Sequence, residues 1–349
     1  MQEIESSCRI TRFCEEDRAK LEQFFKNVWT PPPQVKSANW LDWQCTANPN
    51  AGVSHLTLLL AHVGDRVVGM LVLVPTPIWI DGMQHEVAWG RDLFVDPAYR
   101  RYKIGLLLNE HWLKNYVAAL GSGQSATMRS LQQKYGWIEI SRVKQLEKLF
   151  FDSELLKKSV GDGIGKFCKR ALAMLYAGFW KGRESIGVGY TVVNRHDFDA
   201  RVEELWGACR LDYSGICSRD IRTLRWRFIE HPYYRYTVFE ILGHDGAYLG
   251  YLVARREGND CWLVDLLTRK EDHRARRALI CQAEAYFRND GVTRFICRSV
   301  CLPLETTLQS LGYLATTFEQ YACIKPNLGF SVGGKSKWYI TAMDSDLDR

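Results

Sequence analysis

The stretch FVDPAYRRYKIGLLL, Phe94 to Leu108, carries the densest chemistry in the chain. An apolar strand end runs into a proline-containing turn. Arg100, Arg101 and Lys103 follow, and Gly105 opens an apolar helix. A helix N-terminus presents unsatisfied backbone N–H groups and the positive end of the aligned peptide dipoles, so it attracts anions, phosphate above all. The N–H groups of Arg101, Tyr102, Lys103, Ile104, Gly105 and Leu106 could cradle a diphosphate. Gly105 lets the main chain approach a ligand without a Cβ, and the three cationic side chains add charge-assisted contacts.

Other chemistries find less support. There are eleven cysteines, an odd count with irregular spacing, no CxxC pair and no zinc-ligand cluster, so they read as reduced, packing thiols and no metal is expected. No Ser/His/Asp or Cys/His arrangement is readable. A formal net charge of +6 is mildly basic. It suits an acidic ligand such as a nucleotide or coenzyme A, and is too scattered to argue for nucleic acid. The acidic, polar N-terminus is no signal peptide, and no apolar run reaches transmembrane length, so a cytoplasmic protein is expected. Nothing in the sequence fixes an oligomeric state.

The elements that must hold the loop come in two copies. The 349 residues allow roughly two domains, and five landmarks recur in order at a separation of roughly 180 residues. NWLDWQCTANPN is matched by RTLRWRFIEHPY, pairing Trp43 with Trp226. The apolar stripe Leu21, Phe24, Phe25, Val28 is matched by Val202, Leu205, Trp206, Cys209, each one face of a helix. Gly69 pairs with Gly250, Asp92 with Asp265, and Gly136 with Gly312. Each copy predicts a strand, a helix, two strands around a turn, a fourth strand (Val87–Val95; Cys261–Thr268) and a second helix (about Ile104–Ala119; Arg276–Asn289), followed by a short strand, a short helix and a closing strand. The expected architecture is α/β (α+β): two tandem units, 1–150 and 187–326, each a mixed twisted sheet flanked by helices. Residues 151–186 join them. Their basic amphipathic part, 163–183, reads as a linker helix, with in-plane membrane contact through Phe179 and Trp180 as the alternative. Residues 327–349 read as an acidic tail.

This order of elements, with VDPAYRRYKIGLLL and SLQQKYGW, resembles the GNAT superfamily of acyl-CoA N-acyltransferases. The family's diphosphate loop reads Arg/Gln-x-x-Gly-x-Gly/Ala. Arg100 and Gly105 match its ends, and Lys103 replaces the middle glycine. The second copy, His273-Arg274-Ala275-Arg276-Arg277-Ala278, fits less well, so the resemblance implies a tandem protein whose first unit binds acyl-CoA and whose second is degenerate and walls the acceptor. Tandem members of the family occur in polysaccharide and cell-envelope biosynthesis, which hints at an amino sugar or amino-acid derivative as the acceptor.

The resemblance also assigns roles. Acyl transfer to an amine needs a base, a polarised thioester carbonyl and a leaving thiolate. In the resembled fold the thioester lies where the fourth and fifth strands splay. That implies Asp92 as base, with Glu86 and His85 as runners-up, and the N–H of Phe94 or Val95 as the carbonyl's partner. The family's usual acid, a tyrosine, is replaced by Gln132 in the first copy and Leu308 in the second. Tyr135, one turn away, is the substitute considered. Arg227, His231 and Asp265 are candidate acceptor-binding residues. The function expected is transfer of an acyl group, acetyl by preference, from acyl-CoA to a small-molecule primary amine. The alternatives are a Fem-type aminoacyl-tRNA-dependent transferase and a non-catalytic coenzyme A-binding or regulatory module.

Overall fold

The computed structural model describes residues 8–29, 37–52, 56–150, 189–327 and 337–345. The expected linker helix at 163–183 lies outside them.

The first half runs β1 (Cys8–Arg12), α1 (Arg18–Val28), α2 (Ala38–Leu41), β2 (Leu58–Val63), β3 (Arg66–Ile80), β4 (Met83–Val95), α3 (Ile104–Leu113), β5 (Ala118–Gly121), α4 (Ala126–Lys134), β6 (Ile138–Arg142) and β7 (Lys144–Leu149). The second runs β8 (Tyr190–Arg195), α5 (Val202–Cys209), β9 (Gly215–Cys217), α6 (Ile221–Leu224), β10 (Thr237–Gly243), β11 (Tyr248–Glu257), β12 (Asp260–Thr268), α7 (His273–Asn289), β13 (Arg294–Val300), α8 (Leu302–Ser310), β14 (Leu314–Thr316) and β15 (Tyr321–Pro326), and β16 (Trp338–Thr341) follows. In both halves the short helix before the hairpin widens into a π turn, Asp42–Thr46 after α2 and Arg225–Ile229 after α6.

The strands form one mixed sheet with helices flanking it, as the α/β expectation required. Antiparallel β1–β2–β3–β4 leads to β5, parallel to β4. Antiparallel β8–β10–β11–β12 leads to β13, parallel to β12. The predicted stripes face the core: Leu21, Phe24 and Phe25 on α1, and Val202, Leu205, Trp206 and Cys209 on α5. The first long helix is shorter than expected. It stops at Leu113, because Ala118–Gly121 is claimed as β5 by β4.

Two features were not visible in the periodicity. The closing strands are exchanged: β7 pairs with β13 and β14 of the second half, and β15 pairs with β5 and β6 of the first. Lys148 on β7 and Glu284 on α7 fix that exchange with an ion pair of 2.7 Å, both side chains buried. The acidic stretch expected as a tail also folds in. Trp338, Tyr339 and Ile340 are apolar enough to be buried as β16, between β9 and β13.

Candidate active site

The site begins with a defect in β4. Gly69 pairs with Val95 and Met70 with Phe94, but Val72 pairs with Arg91, so Leu71 faces two residues, Asp92 and Leu93. Asp92 takes the left-handed conformation, φ 47°, which costs an ordinary side chain about 1 kcal/mol and which Asp tolerates better than most. Such a bulge bends its strand. The β4–β5 ladder runs from Val87–Ala118 to Gly90–Gly121 and ends there. Beyond Gly90 the two strands diverge around a cavity of about 440 Å³. Its walls include Arg91, Asp92 and Leu93 of β4, Asn109 and Trp112 of α3, and Gln132 of α4. Gly90 is obligatory at the apex, because a Cβ there would lie 2.4 Å from the Trp112 indole.

The basic loop lies one helix-length away. Asp96 accepts from the Ala98 N–H and starts a 3₁₀ segment of six residues, Pro97–Tyr102. Lys103 then takes φ 54°, the left-handed conformation that glycine adopts at no cost, and caps α3. Tyr102 and Ile104 are buried in the core, so only their main chain is available to a ligand. Leu106 N–H is already donated to Lys103 O at 2.8 Å. Arg100 and Arg101 are exposed; Arg100 donates to Val95 O at 3.2 Å and rides over the Phe94 ring. Phe94 itself lies 4.7 Å from Trp29 in an aromatic cluster. Val95 packs beside the core under α3.

Loop and cavity are joined by one face of α3. Gly105, Asn109 and Trp112 follow one another at i, i+4 and i+7, and Asn109 Nδ2 donates to Gly105 O at 2.7 Å. At a 1.5 Å rise per residue, Gly105 to Trp112 spans about 10 Å. Gly105 is not required by its backbone angle or by packing: its nearest neighbours to a built Cβ, Leu93 and Val95, stand at 3.9 Å. The face of α3 that starts at Gly105 thus ends, at Asn109 and Trp112, in the cavity wall.

The other sequence-derived residues fall elsewhere. Glu86 is exposed before the β4–β5 ladder starts, six residues from Asp92, or about 20 Å along the strand. His85 lies one residue farther. Tyr135 is 47% exposed at the end of α4 and is not in the cavity wall. Asp265 lies outside the cavity wall. Its bulge lies at Val264 rather than at the aspartate, so Asp265 stays in register and is fully buried, where it accepts from Tyr251 OH at 2.6 Å and Thr341 Oγ1 at 2.7 Å. His231 is likewise buried; its Nδ1 accepts from the Tyr233 and Tyr234 N–H groups, and its ring lies on Trp43 and Tyr234. Arg227 is buried, donates to Tyr236 OH, and faces a void of about 20 Å³, room for about one water. That void shares Arg91 with the larger cavity.

Cysteine chemistry finds no support here. The ten described cysteines are free thiols, and burial pushes those of Cys45, Cys209, Cys301 and Cys323 up to about 12. Among the described residues no helix is long and apolar enough to cross a membrane.

The spacing of Asn109 and Trp112 from Gly105 was available in the sequence and was overlooked. Nothing local pointed to Gln124, Gln320 or Ser345, which also line the cavity, because strand ends and the chain after β16 bring them there.

No family model matches this chain, and no curated protein does so. Solved structures do match in fold. Saccharomyces cerevisiae N-myristoyltransferase with bound myristoyl-CoA superposes with a TM-score of 0.58 at 13% identity, covering 97% of this chain and 89% of that one. A GCN5-related N-acetyltransferase from Anabaena variabilis superposes with a TM-score of 0.62 at 13% identity, covering 91% and 72%. The chain thus shares the GNAT fold of known N-acyltransferases over nearly its whole length.

Proposed function

We propose that the protein is an acyl-CoA-dependent N-acyltransferase that moves a short acyl group, acetyl by preference, to the primary amine of a small polar acceptor. The observation that carries this reading is the cavity at the β4–β5 divergence, walled by Asn109 and Trp112 of the same helix, α3, whose N-terminus carries the basic loop. The fold neighbours include one that binds myristoyl-CoA, which supports an acyl-CoA co-substrate.

In this reading the chain is two GNAT-like units with exchanged closing strands, and the first unit holds the co-substrate. Acyl-CoA supplies the activated acyl group when bound. The N-terminus of α3, with Arg100, Arg101 and Lys103, holds its diphosphate. The edge of β4 beyond Gly90, at Phe94 and Val95, hydrogen-bonds the thioester carbonyl. Asp92, in the cavity wall, takes the proton from the attacking ammonium. Gln132 carries no acidic proton, so the thiol leaves as its anion, which a pKa near 8.5 permits.

The test is direct. Coenzyme A should raise the melting temperature in a concentration-dependent way. A panel of amino sugars and amino-acid derivatives with acetyl-CoA should then release free thiol. Binding without thiol release from any amine would leave a coenzyme A-binding module, and no binding would overturn the reading.

A further inference from the structure

Several polar side-chain atoms of residues lining the cavity make no hydrogen bond within the protein: Gln132 Oε1 and Ser345 Oγ, which can accept, and Trp112 Nε1 and Gln124 Nε2, which can only donate. Gln132 is 8% exposed and Ser345 is 2% exposed. An orphaned buried polar atom forfeits the hydrogen bonds it made to water, and native interiors hold few of them without a reason. The two acceptors come from parts of the chain that no local pattern connects, α4 and the residues after β16.

Ser345 is held in place with some rigour. Arg219, fully buried, grips Asp344 through a two-pronged pair of 2.9 and 2.6 Å, and it also donates to Cys217 O and Thr341 Oγ1. Asp344 in turn accepts from Thr341 N–H at 2.9 Å. A buried guanidinium fork on the neighbouring residue leaves Ser345 little freedom. It still aims an unsatisfied hydroxyl into the cavity.

The chemistry of the orphans defines their complement. An amide oxygen can only accept, and a hydroxyl can accept or donate. A ligand N–H satisfies the two acceptors, and a carbonyl oxygen of the same ligand satisfies the two donors. From these observations, resting on the acyltransferase reading above, we infer that Gln132 Oε1 and Ser345 Oγ form a binding site for an N–H donor of the reacting ligands, with Arg219 and Asp344 as the residues that position Ser345. Two sources carry such N–H groups: the amine of the acceptor, and the amides of the pantetheine arm of coenzyme A.

The experiment uses Gln132→Leu, Gln132→Glu, Ser345→Ala and Ser345→Thr in the full chain. Calorimetry with coenzyme A reads the pantetheine arm. The KM of the best amine from the screen reads the acceptor. Gln132→Leu and Ser345→Ala should each weaken one of these about tenfold with melting temperature retained, while Gln132→Glu and Ser345→Thr, which keep an acceptor oxygen, should hold it within about threefold. A change confined to KM assigns the site to the amine, and a change confined to the coenzyme A Kd assigns it to the pantetheine. Both quantities unchanged in Gln132→Leu and Ser345→Ala, in a protein that binds coenzyme A and turns over, would overturn this inference alone. Wild-type protein that binds no coenzyme A would overturn it together with the reading it rests on.

Discussion

Trp43 and Trp226 hydrogen-bond to each other's backbone. Trp43 Nε1 donates to Trp226 O at 2.9 Å, Trp226 Nε1 donates to Trp43 O at 3.0 Å, and the rings stack 4.7 Å apart with 14° between their planes. Residues that occupy the same place in the two halves thus meet across a local two-fold relation, each in a π turn. A π turn frees a backbone carbonyl from the regular helix ladder, and here the other tryptophan takes it up.

That reciprocity predicts coupled stabilities. Trp43→Phe and Trp226→Phe each leave one buried carbonyl without its partner, so each should destabilise by about 1–2 kcal/mol. The double variant should lose about 1 kcal/mol less than the two losses added together, because the rings act as a unit. Denaturant titration of the three variants checks this, and strict additivity would mean that the two contacts are independent.

Gly105 and Gly90 should respond in opposite ways. Gly105 has no close neighbour, so Gly105→Trp should keep its melting temperature while coenzyme A affinity falls by about 100-fold or more. Gly90→Ala must displace the Trp112 indole, and overpacking of this kind costs about 1–3 kcal/mol. Melting curves with and without coenzyme A separate the two. Undiminished affinity in Gly105→Trp would move the diphosphate site away from α3.

The helix stripes and the basic turn before α3 were legible because they are local or periodic. The environments of Asp92 and Asp265 were not, although the two align. A bulge placed at the aspartate in one strand, and one residue earlier in the other, puts the first in a cavity wall and the second in a buried ion cluster. Bulge position depends on the partner strand, which the periodicity does not report. The strand exchange and β16 escaped for the same reason: both are pairings between distant residues. Arg227 and His231 looked available because polar residues beside a tryptophan are usually exposed, whereas here the meeting of the two halves buries them.

Arg219 supplies a test of the buried cluster. It neutralises Asp344 and Asp265 with its side chain fully out of solvent. Arg219→Met should cost about 3–5 kcal/mol, since it strands two carboxylates in the core. Arg219→Met combined with Asp344→Leu removes one of those charges and should recover part of the loss. Thermal denaturation decides, and a double variant no more stable than Arg219→Met would place the cost elsewhere than in uncompensated charge.

His62 predicts a loss of stability in acid. It is 2% exposed on β2, its Nε2 lies 2.9 Å from Thr11 Oγ1, and its Nδ1 has no partner. Burial lowers its pKa below the ordinary 6.5. The unfolded chain therefore takes up a proton before the folded one does. Stability from this group is complete above pH 6.5 and is lost as pH falls from there through the lowered folded value. His62→Gln, which cannot titrate, should flatten the stability profile between pH 7 and 5. An identical slope in wild type and variant would assign the acid sensitivity to other groups.

Asp92 gives the sharpest functional prediction, because its backbone and its carboxylate can be separated. Asparagine tolerates the left-handed conformation nearly as well as aspartate, so Asp92→Asn should keep both the bulge and the melting temperature. It removes the base. Turnover should fall by about 10²–10³, within the range for general-base catalysis, with coenzyme A affinity unchanged. In Asp92→Asn the rate should depend on the amine being already neutral, and so should rise with pH towards the pKa of the free amine. Steady-state rates across pH, alongside calorimetry with coenzyme A, read both effects. Wild-type turnover in Asp92→Asn would reduce Asp92 to the residue that bends β4, and the amine would then have to reach the thioester already neutral.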